Sequence, residues 1–516
     1  DVRSTGCAAA LREAKNPYAL QDRAGGTQST GFFGAWTSTP SAYAVVARDA
    51  ADVAAGVRFA REHGIRLVIK GTGHDYLGRS SAPNSLLIWT HAMREITVHD
   101  AFVADGCKTP AVPAVSVGAG TRWLEAYQAV TGKHQRYVQG GGCTSVGAAG
   151  GFLQGGGFGS WSKKYGIAAA SLLEAEVITA DGKRVIANAC QHADLFWALR
   201  GGGGGTFGVV TRATLMTHPL PRLFGSLSGV IAAKSDDAFR ALLAKFTAFY
   251  PTALDNEQWG EQVAVRGDNT LQISMTFVDL TAAEAEAVWQ PLRAWAERQP
   301  ALFTVKLSTI ALPATEMWSF AFFQQYAKEA IVPDDRPGQP PGQFWWAGDA
   351  EQVSTYWYAY ASRWIPLAGF AELAPALFEA SRHWEVGLHF NKGQAGAAED
   401  AVRRGRETAM HPVVFDAAAL AIIAAHGDAL PGVAGHEPNV AEAARAKASV
   451  SAAMRVIRAA TPNSGSYVNE TDYFEPDWQR SFWGNHYPRL LAIKRKYDPQ
   501  GVFTCHHCVG SEGTGK

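Results

Sequence analysis

The sequence predicts an α+β protein of two domains, and three observations carry that expectation. A chain of 516 residues exceeds one ordinary domain. Between residues 40 and 217, apolar runs of strand length alternate with amphipathic helical stretches, as in an α+β layer with a mixed sheet. Beyond Pro219 and Pro221 the pattern turns to alternating strands with a few covering helices, which predicts a large antiparallel sheet. At 47% hydrophobic and 18% charged residues the chain has ample core. Its formal net charge is zero and it has no Lys/Arg run, so nothing draws it to nucleic acid or to an anionic membrane. No apolar run reaches the roughly 20 residues of a membrane span.

In chain order, residues 1–40 read as loop. AYAVVA is a strand, and DAADVAAGVRFAREHG a helix with Asp49 as N-cap and Gly64 as its stop. IRLVIK, SLLIWT and PAVSVGAG follow as apolar strands, and TRWLEAYQAVTGKH as a helix. LLEAEVITADGKRVIA is two β runs turning at Asp181-Gly182. A helix, a five-glycine run and a strand occupy residues 194–217. That stretch holds one GxGxxG at Gly203, Gly205 and Gly208, but with the helix before and the strand after. A Rossmann turn needs the reverse order, so dinucleotide binding of that kind is rejected. In the second half SGVIAA, EQVAVRGD and TLQISMTFVDL read as strands. A helix follows, opened by a Thr281/Glu284 capping box. The Pro-rich stretch 333–342 reads as a lid or a surface excursion. QVSTYWYAYASRW is rich in aromatics, and alternation along HFNKG predicts His389, Asn391 and Gly393 on one face with Phe390 and Lys392 on the other. A long helix then runs to Pro462.

Two glycine-rich stretches hold the chemistry. Residues 140–166, GGGCTSVGAAGGFLQGGGFGSWSKKYG, contain eleven glycines around a single cysteine, Cys143. Residues 70–80, KGTGHDYLGRS, follow a buried strand and contain one histidine, His74. Backbone without Cβ atoms suits close approach to a flat or phosphorylated ligand, and Cys143 and His74 are both nucleophiles.

These two stretches resemble the attachment signatures of the bicovalently flavinylated oxidases in the berberine-bridge-enzyme branch of the vanillyl-alcohol-oxidase family. The likeness spans residues 40–217 and 465–508. The resemblance implies FAD bonded covalently through His74 at the 8α carbon and through Cys143 at C6 of the ring. Around these it implies cofactor contacts from Gly71, Thr72, Gly73, Asp75, Tyr76 and Gly78. Gly142, Gly147, Gly151, Gly156, Gly157, Gly159 and Tyr165 follow in the second stretch, and then Gly205, Val209 and Asn485. It implies a PCMH-type FAD-binding domain built from residues 1–220 and a return segment, 465–516, around a substrate domain at 221–464. The family reaction passes a hydride to flavin while a base takes the hydroxyl proton, and O₂ then reoxidises the flavin to give H₂O₂.

The resemblance places the base in the segment Tyr467, Val468, Asn469, Glu470. Relatives often carry Tyr where this chain has Glu470, and a carboxylate among apolar aromatics is an effective base. Tyr467 and Asn469 are expected to flank it on alternate faces. Val146, small and three residues after Cys143, is expected to leave O₂ room beside the ring. The expected reaction is oxidation of an alcohol or hemiacetal carbon in a carbohydrate or aromatic natural product, stacked on the Trp- and Tyr-rich middle. Oxidative cyclisation or C–C bond formation is the alternative, and a flavin-free binding protein the rival from another class. Expected partners are the small-molecule substrate and O₂, with no nucleic acid and no membrane, in a monomer or homodimer.

Six cysteines, at 7, 107, 143, 190, 505 and 508, leave five for pairing once Cys143 is committed to flavin, hence at most two bridges. Cys505-His-His-Cys508 mimics a metal knuckle but lacks a second Cys pair, so no metal is expected. The chain begins at Asp1, which suggests a removed leader and a secreted or periplasmic protein.

Overall fold

The computed structural model describes residue 11 and residues 13–512; Cys7 lies outside them. Three sheets organise the α+β fold. The first is parallel, in the order Tyr43–Val46, Ser85–Trp89, Arg66–Lys70. Its helix, Ala50–Glu62, is capped by the Asp49 side chain, which accepts from the N–H groups of Ala51 and Asp52. Val53, Val57 and Ala60 are buried on the sheet-facing stripe of that helix. The expected stop at Gly64 is a residue with φ of +63°.

The second sheet is antiparallel, in the order Arg184–Asn188, Leu172–Ile178, Val209–Pro219, Val112–Gly118, Ile96–Phe102, with Arg136–Val138 paired to the far end of Val209–Pro219. Asp181-Gly182 makes the predicted turn between its first two strands. Cys107 and Cys190 form a disulfide at the other end of that hairpin, where Cys190 N–H donates to Asn188 Oδ1. The helix predicted over residues 121–134 forms but changes type along its length: Trp123–Tyr127 is α-helical, and Gln128–Lys133 widens into a π-helical turn.

The third sheet has nine strands. In order they are Phe303–Pro313, Leu223–Ala233, Thr270–Val278, Trp259–Val265, Val386–His389, Ala417–Asp428, Thr355–Pro366, Ser29–Phe32 and Trp36–Thr37. Its strands from residues 221–464 pair antiparallel throughout, as expected. The correction falls on residues 1–40, read as loop, which supply the helix Pro17–Gln21 and the two edge strands, Ser29–Phe32 pairing parallel to Thr355–Pro366. One face is covered by Asp236–Ala253, Ala282–Glu297, Ala374–Ser381 and Val440–Ala460, with Phe246, Trp289, Leu377 and Ile457 buried between. The capping box forms, Glu284 N–H donating to Thr281 Oγ1 and Thr281 N–H to Glu284 Oε2. The opposite face looks toward the glycine-rich segments. Strand Thr355–Pro366 serves both faces: Tyr356 and Tyr358 point to the helices, and Trp357, Tyr360 and Trp364 to the other side. A bulge between Trp357 and Ala359 allows the three-residue step.

The Pro-rich stretch is the loop of a small hairpin, Ile331–Pro333 with Phe344–Trp346. Arg336 pins it, donating to Asp22 and Asp334 at 2.8 Å each. The C-terminal segment packs back on the glycine run of residues 201–205. Trp483 Nε1 donates to the Gly201 carbonyl at 2.9 Å, and the buried Lys494 ammonium donates to Thr206 O (2.8 Å), Phe503 O (2.6 Å) and Asp498 (2.5 Å). Among the described residues no helix is long and apolar enough to cross a membrane.

Candidate active site

A cavity of about 830 Å³ lies between the glycine-rich segments and the open face of the nine-stranded sheet. That is near the upper end for a small-molecule site. His74 enters it from the turn after Arg66–Lys70, and Cys143 from the turn after Arg136–Val138. Two strands of separate sheets thus deliver the two nucleophiles to one space. The segments are tied together where Gly147 N–H donates to Thr72 Oγ1 at 3.0 Å.

His74 Nε2 lies 3.0 Å from Ser145 Oγ and 3.2 Å from Gln21 Nε2. Gln21 is fixed in turn by donating to the Ser145 carbonyl at 2.7 Å. Nδ1 is therefore the ring nitrogen left without a partner among the described residues. Burial pushes His74 down to about 4, so the imidazole is neutral and its lone pair available near neutral pH. Cys143 is the one free cysteine among the described residues. Burial, and then the neighbouring Asp349, push its thiol well above the usual range. Burial also raises the Asp349 carboxyl, to about 6. Two bonds fasten the Cys143 loop on either side: Trp346 Nε1 donates to the Gly142 carbonyl (3.0 Å), and Thr144 Oγ1 to the Phe344 carbonyl (2.9 Å).

Toward the sheet, the cavity is walled by Glu261, His389, Asn391, Lys392, Tyr467 and Glu470. Glu470 forms an ion pair with Lys392. Glu261 sits in a left-handed backbone conformation, φ +64°, and accepts from Ser160 Oγ at 2.5 Å and from Asn391 Nδ2 at 3.5 Å. Burial raises its carboxyl and holds His389 well below the ordinary imidazole range. Tyr467 Oη accepts from Gly157 N–H (3.3 Å) and Asn469 Nδ2 (3.0 Å), and Asn469 also donates to the Gly151 carbonyl (2.9 Å). The Tyr467 hydroxyl is pushed up by burial and by the charge of Glu470.

The cavity suits a long, flat ligand with a polar tail. Gly150, Gly151 and Gly205 line it, and a Cβ on any of them meets nothing within 4 Å among the described residues. The space beside that backbone is kept for something other than protein. Gln154 Oε1 and Asn391 Oδ1, buried at the wall, have no hydrogen-bond partner among the described residues, as expected of acceptors left for ligand donors. Flat side chains (Tyr76, Phe152, Phe158, Tyr360) complete the wall.

Most of the predicted residues meet here. Gly71, Thr72, Gly73, His74, Asp75, Tyr76 and Gly78 line the cavity, as do Gly142, Cys143, Val146, Gly147, Gly151, Gly205, Val209, Tyr467, Asn469 and Glu470. Five do not. A Cβ on Gly156 would strike the Met410 side chain, one on Gly157 the Phe152 ring, and one on Gly159 the Gly140 carbonyl, so these glycines serve packing. Tyr165 packs at a tilt against Tyr137 and His218, ring centres 4.5 and 4.9 Å away. Asn485 is exposed in the 3₁₀ turn Gly484–His486. Two geometric expectations are also corrected. Tyr467 and Asn469 are not on alternate faces of a strand; residues 467–470 form a turn, closed by Glu470 N–H donating to the Tyr467 carbonyl (3.0 Å), and the two side chains bond each other. The strand Val386–His389 likewise ends before Asn391, with Lys392 N–H donating to the His389 carbonyl, and both Asn391 and Lys392 reach the cavity. Cys505 and Cys508 pair with one another. No cluster of three metal-ligating side chains occurs among the described residues. Sequence reasoning missed Ser145, Gln21, Glu261 and Asp349, none of which carries a local pattern.

A cavity with this lining, closed by the C-terminal segment packing on the glycine run, fits a flat cofactor, and the comparisons define the class as a flavin-linked oxidoreductase. Residues 41–188 match the family described as FAD binding domain, and residues 466–510 the one described as berberine and berberine like. The FAD-linked oxidoreductase easE of Trichophyton verrucosum is 37% identical, over 88% of this chain and 71% of its own length. The crystal structure of the VAO-type flavoprotein MtVAO615 from Myceliophthora thermophila has a TM-score of 0.72 at 28% identity, covering 91% of this chain and 79% of that one. Glucooligosaccharide oxidase from Acremonium strictum, which carries a 6-S-cysteinyl, 8α-N1-histidyl FAD, shares the fold with a TM-score of 0.71 at 21% identity, over 98% of each chain. The chain belongs to the berberine-bridge-like FAD-linked oxidoreductases of the vanillyl-alcohol-oxidase family, and is an FAD-binding enzyme.

Proposed function

We propose that the protein is an oxidase that holds FAD by two covalent bonds, through His74 and Cys143, and oxidises an alcohol or hemiacetal carbon with O₂ as acceptor. The observation that carries this reading is the opening of one imidazole and one thiol, from separate turns, onto the same glycine-walled cavity. The bicovalent FAD of glucooligosaccharide oxidase supports it. Bound FAD supplies the hydride acceptor and passes the electrons to O₂, giving H₂O₂. The chain supplies the rest. Glu470, paired with Lys392, accepts the substrate hydroxyl proton. Tyr467 and Asn469 fix the return segment to the glycine run, and so set where Glu470 stands. Tyr76, Tyr360 and Trp346 provide flat surfaces for a sugar or aromatic ring. Val146 keeps space beside the ring for O₂. Residues 1–220 and 465–516 form the flavin domain in this reading.

A peroxide-release screen with mono- and oligosaccharides, aryl alcohols and alkaloids tests it. Stoichiometric peroxide with one of these classes is expected; bleaching of the flavin by substrate without peroxide would exclude an oxidase.

A further inference from the structure

Asp349 has no part in the reaction above, yet it stands beside the Cys143 thiol in the same cavity. It lies in the 3₁₀ turn Ala347–Gln352, whose two ends are pinned. At one end Trp346 and Phe344 bond the residues on either side of Cys143. At the other, Tyr76 Oη donates to Gln352 Oε1 at 3.2 Å. Asp349 Oδ2 is buried and lacks a hydrogen-bond partner, and no cation pairs with the carboxyl among the described residues. Burying such a group unsatisfied costs stability, so its position calls for a chemical reason. The thiol beside it is a poor nucleophile until it loses its proton, and burial resists that loss.

We propose that Asp349 is the general base that takes the Cys143 proton as the sulfur bonds to the flavin ring. The inference rests on the covalent reading above. The S–H bond breaks and its proton passes to Asp349, while the sulfur electron pair forms the C–S bond at C6. The hydrogen on that carbon leaves as a second proton. The two electrons gained by the ring pass to O₂, which leaves with both protons as H₂O₂. Thiol, ring C–H and O₂ thus become thioether and peroxide, and atoms and electrons balance.

The test compares the full-length wild type with Asp349→Asn, each purified with its flavin, denatured in acid and digested. Flavin is then located by mass on the His74 and Cys143 peptides. In the wild type both peptides carry it. In Asp349→Asn the His74 peptide is expected to carry flavin, which shows that the pocket formed, while the Cys143 bond grows in air about 10²-fold more slowly, the scale of a lost general base. Equal occupancy of the Cys143 peptide in both proteins overturns the proposal. Wild type without flavin on Cys143 overturns the covalent reading itself. Should Asp349→Asn arrive without flavin on either residue, Asp349→Ala decides, incubated with FAD with and without formate. A faster Cys143 bond with formate supports the base, and no acceleration overturns it.

Discussion

At the scale of single residues, the reaction depends on charge and space within a few side chains of the cavity. Glu470 and Lys392 pair there, and in the proposed reaction the carboxylate is the proton acceptor. Glu470→Gln keeps the shape and removes the charge. Turnover is expected to fall about 10²- to 10⁴-fold with the flavin spectrum and melting temperature held, and undiminished turnover would move the proton to another group. Val146 is half-buried at the cavity wall. In Val146→Ile, stopped-flow reoxidation by O₂ is expected to slow while reduction by substrate keeps its rate; an unchanged oxygen rate would remove Val146 from the oxygen path. At this scale the sequence was partly readable. His74 and Cys143 stand out as single nucleophiles in glycine-rich surroundings. Glu261 and Asp349 do not, because an acidic residue in EQVAVRGD or AGDAEQ looks like any solvated one.

At the scale of elements, the glycine run 140–166 is the instructive case. Its composition says that backbone comes close to something, but not to what. Gly151 faces open cavity, whereas Gly159 abuts the Gly140 carbonyl, and both read alike in sequence. They separate by experiment. Gly151→Leu is expected to fill the cavity and yield protein without flavin that still melts cooperatively. Gly159→Ala is expected to destabilise the fold by about 1–3 kcal/mol or more, as overpacking does, seen as a lowered melting temperature. If both lost flavin and stability alike, the division between cradle and packing glycines would be wrong. The same limit explains HFNKG: alternation holds to His389, where strand pairing ends, and the turn beyond it is set by contacts distant in the chain.

At the scale of the whole molecule, early and late segments of the chain, residues 66–83 and 503–506, meet at the same cavity. Alternating strand and helix patterns were enough to predict the α+β class, and the resemblance carried the return of the last segment. The parallel pairing of Ser29–Phe32 was not readable, since a four-residue strand carries no signal of its partner. Lys494 is the clasp of the return segment, with Asp498 fully buried beside it. Lys494→Met leaves that carboxylate unpaired and is expected to cost about 3–5 kcal/mol, with flavin lost at a lower denaturant concentration than in the wild type. Denaturation curves that coincide would mean the segment is held by its apolar contacts alone.

The most direct test of a ring gripped from two turns is the intact mass of the acid-denatured, precipitated protein together with the colour of the pellet. A yellow chain heavier by one FAD, with flavin still bound to chain in both His74→Ala and Cys143→Ala but absent from the double variant, is the predicted result. A colourless chain at its bare mass, with all flavin in the supernatant, would contradict the account.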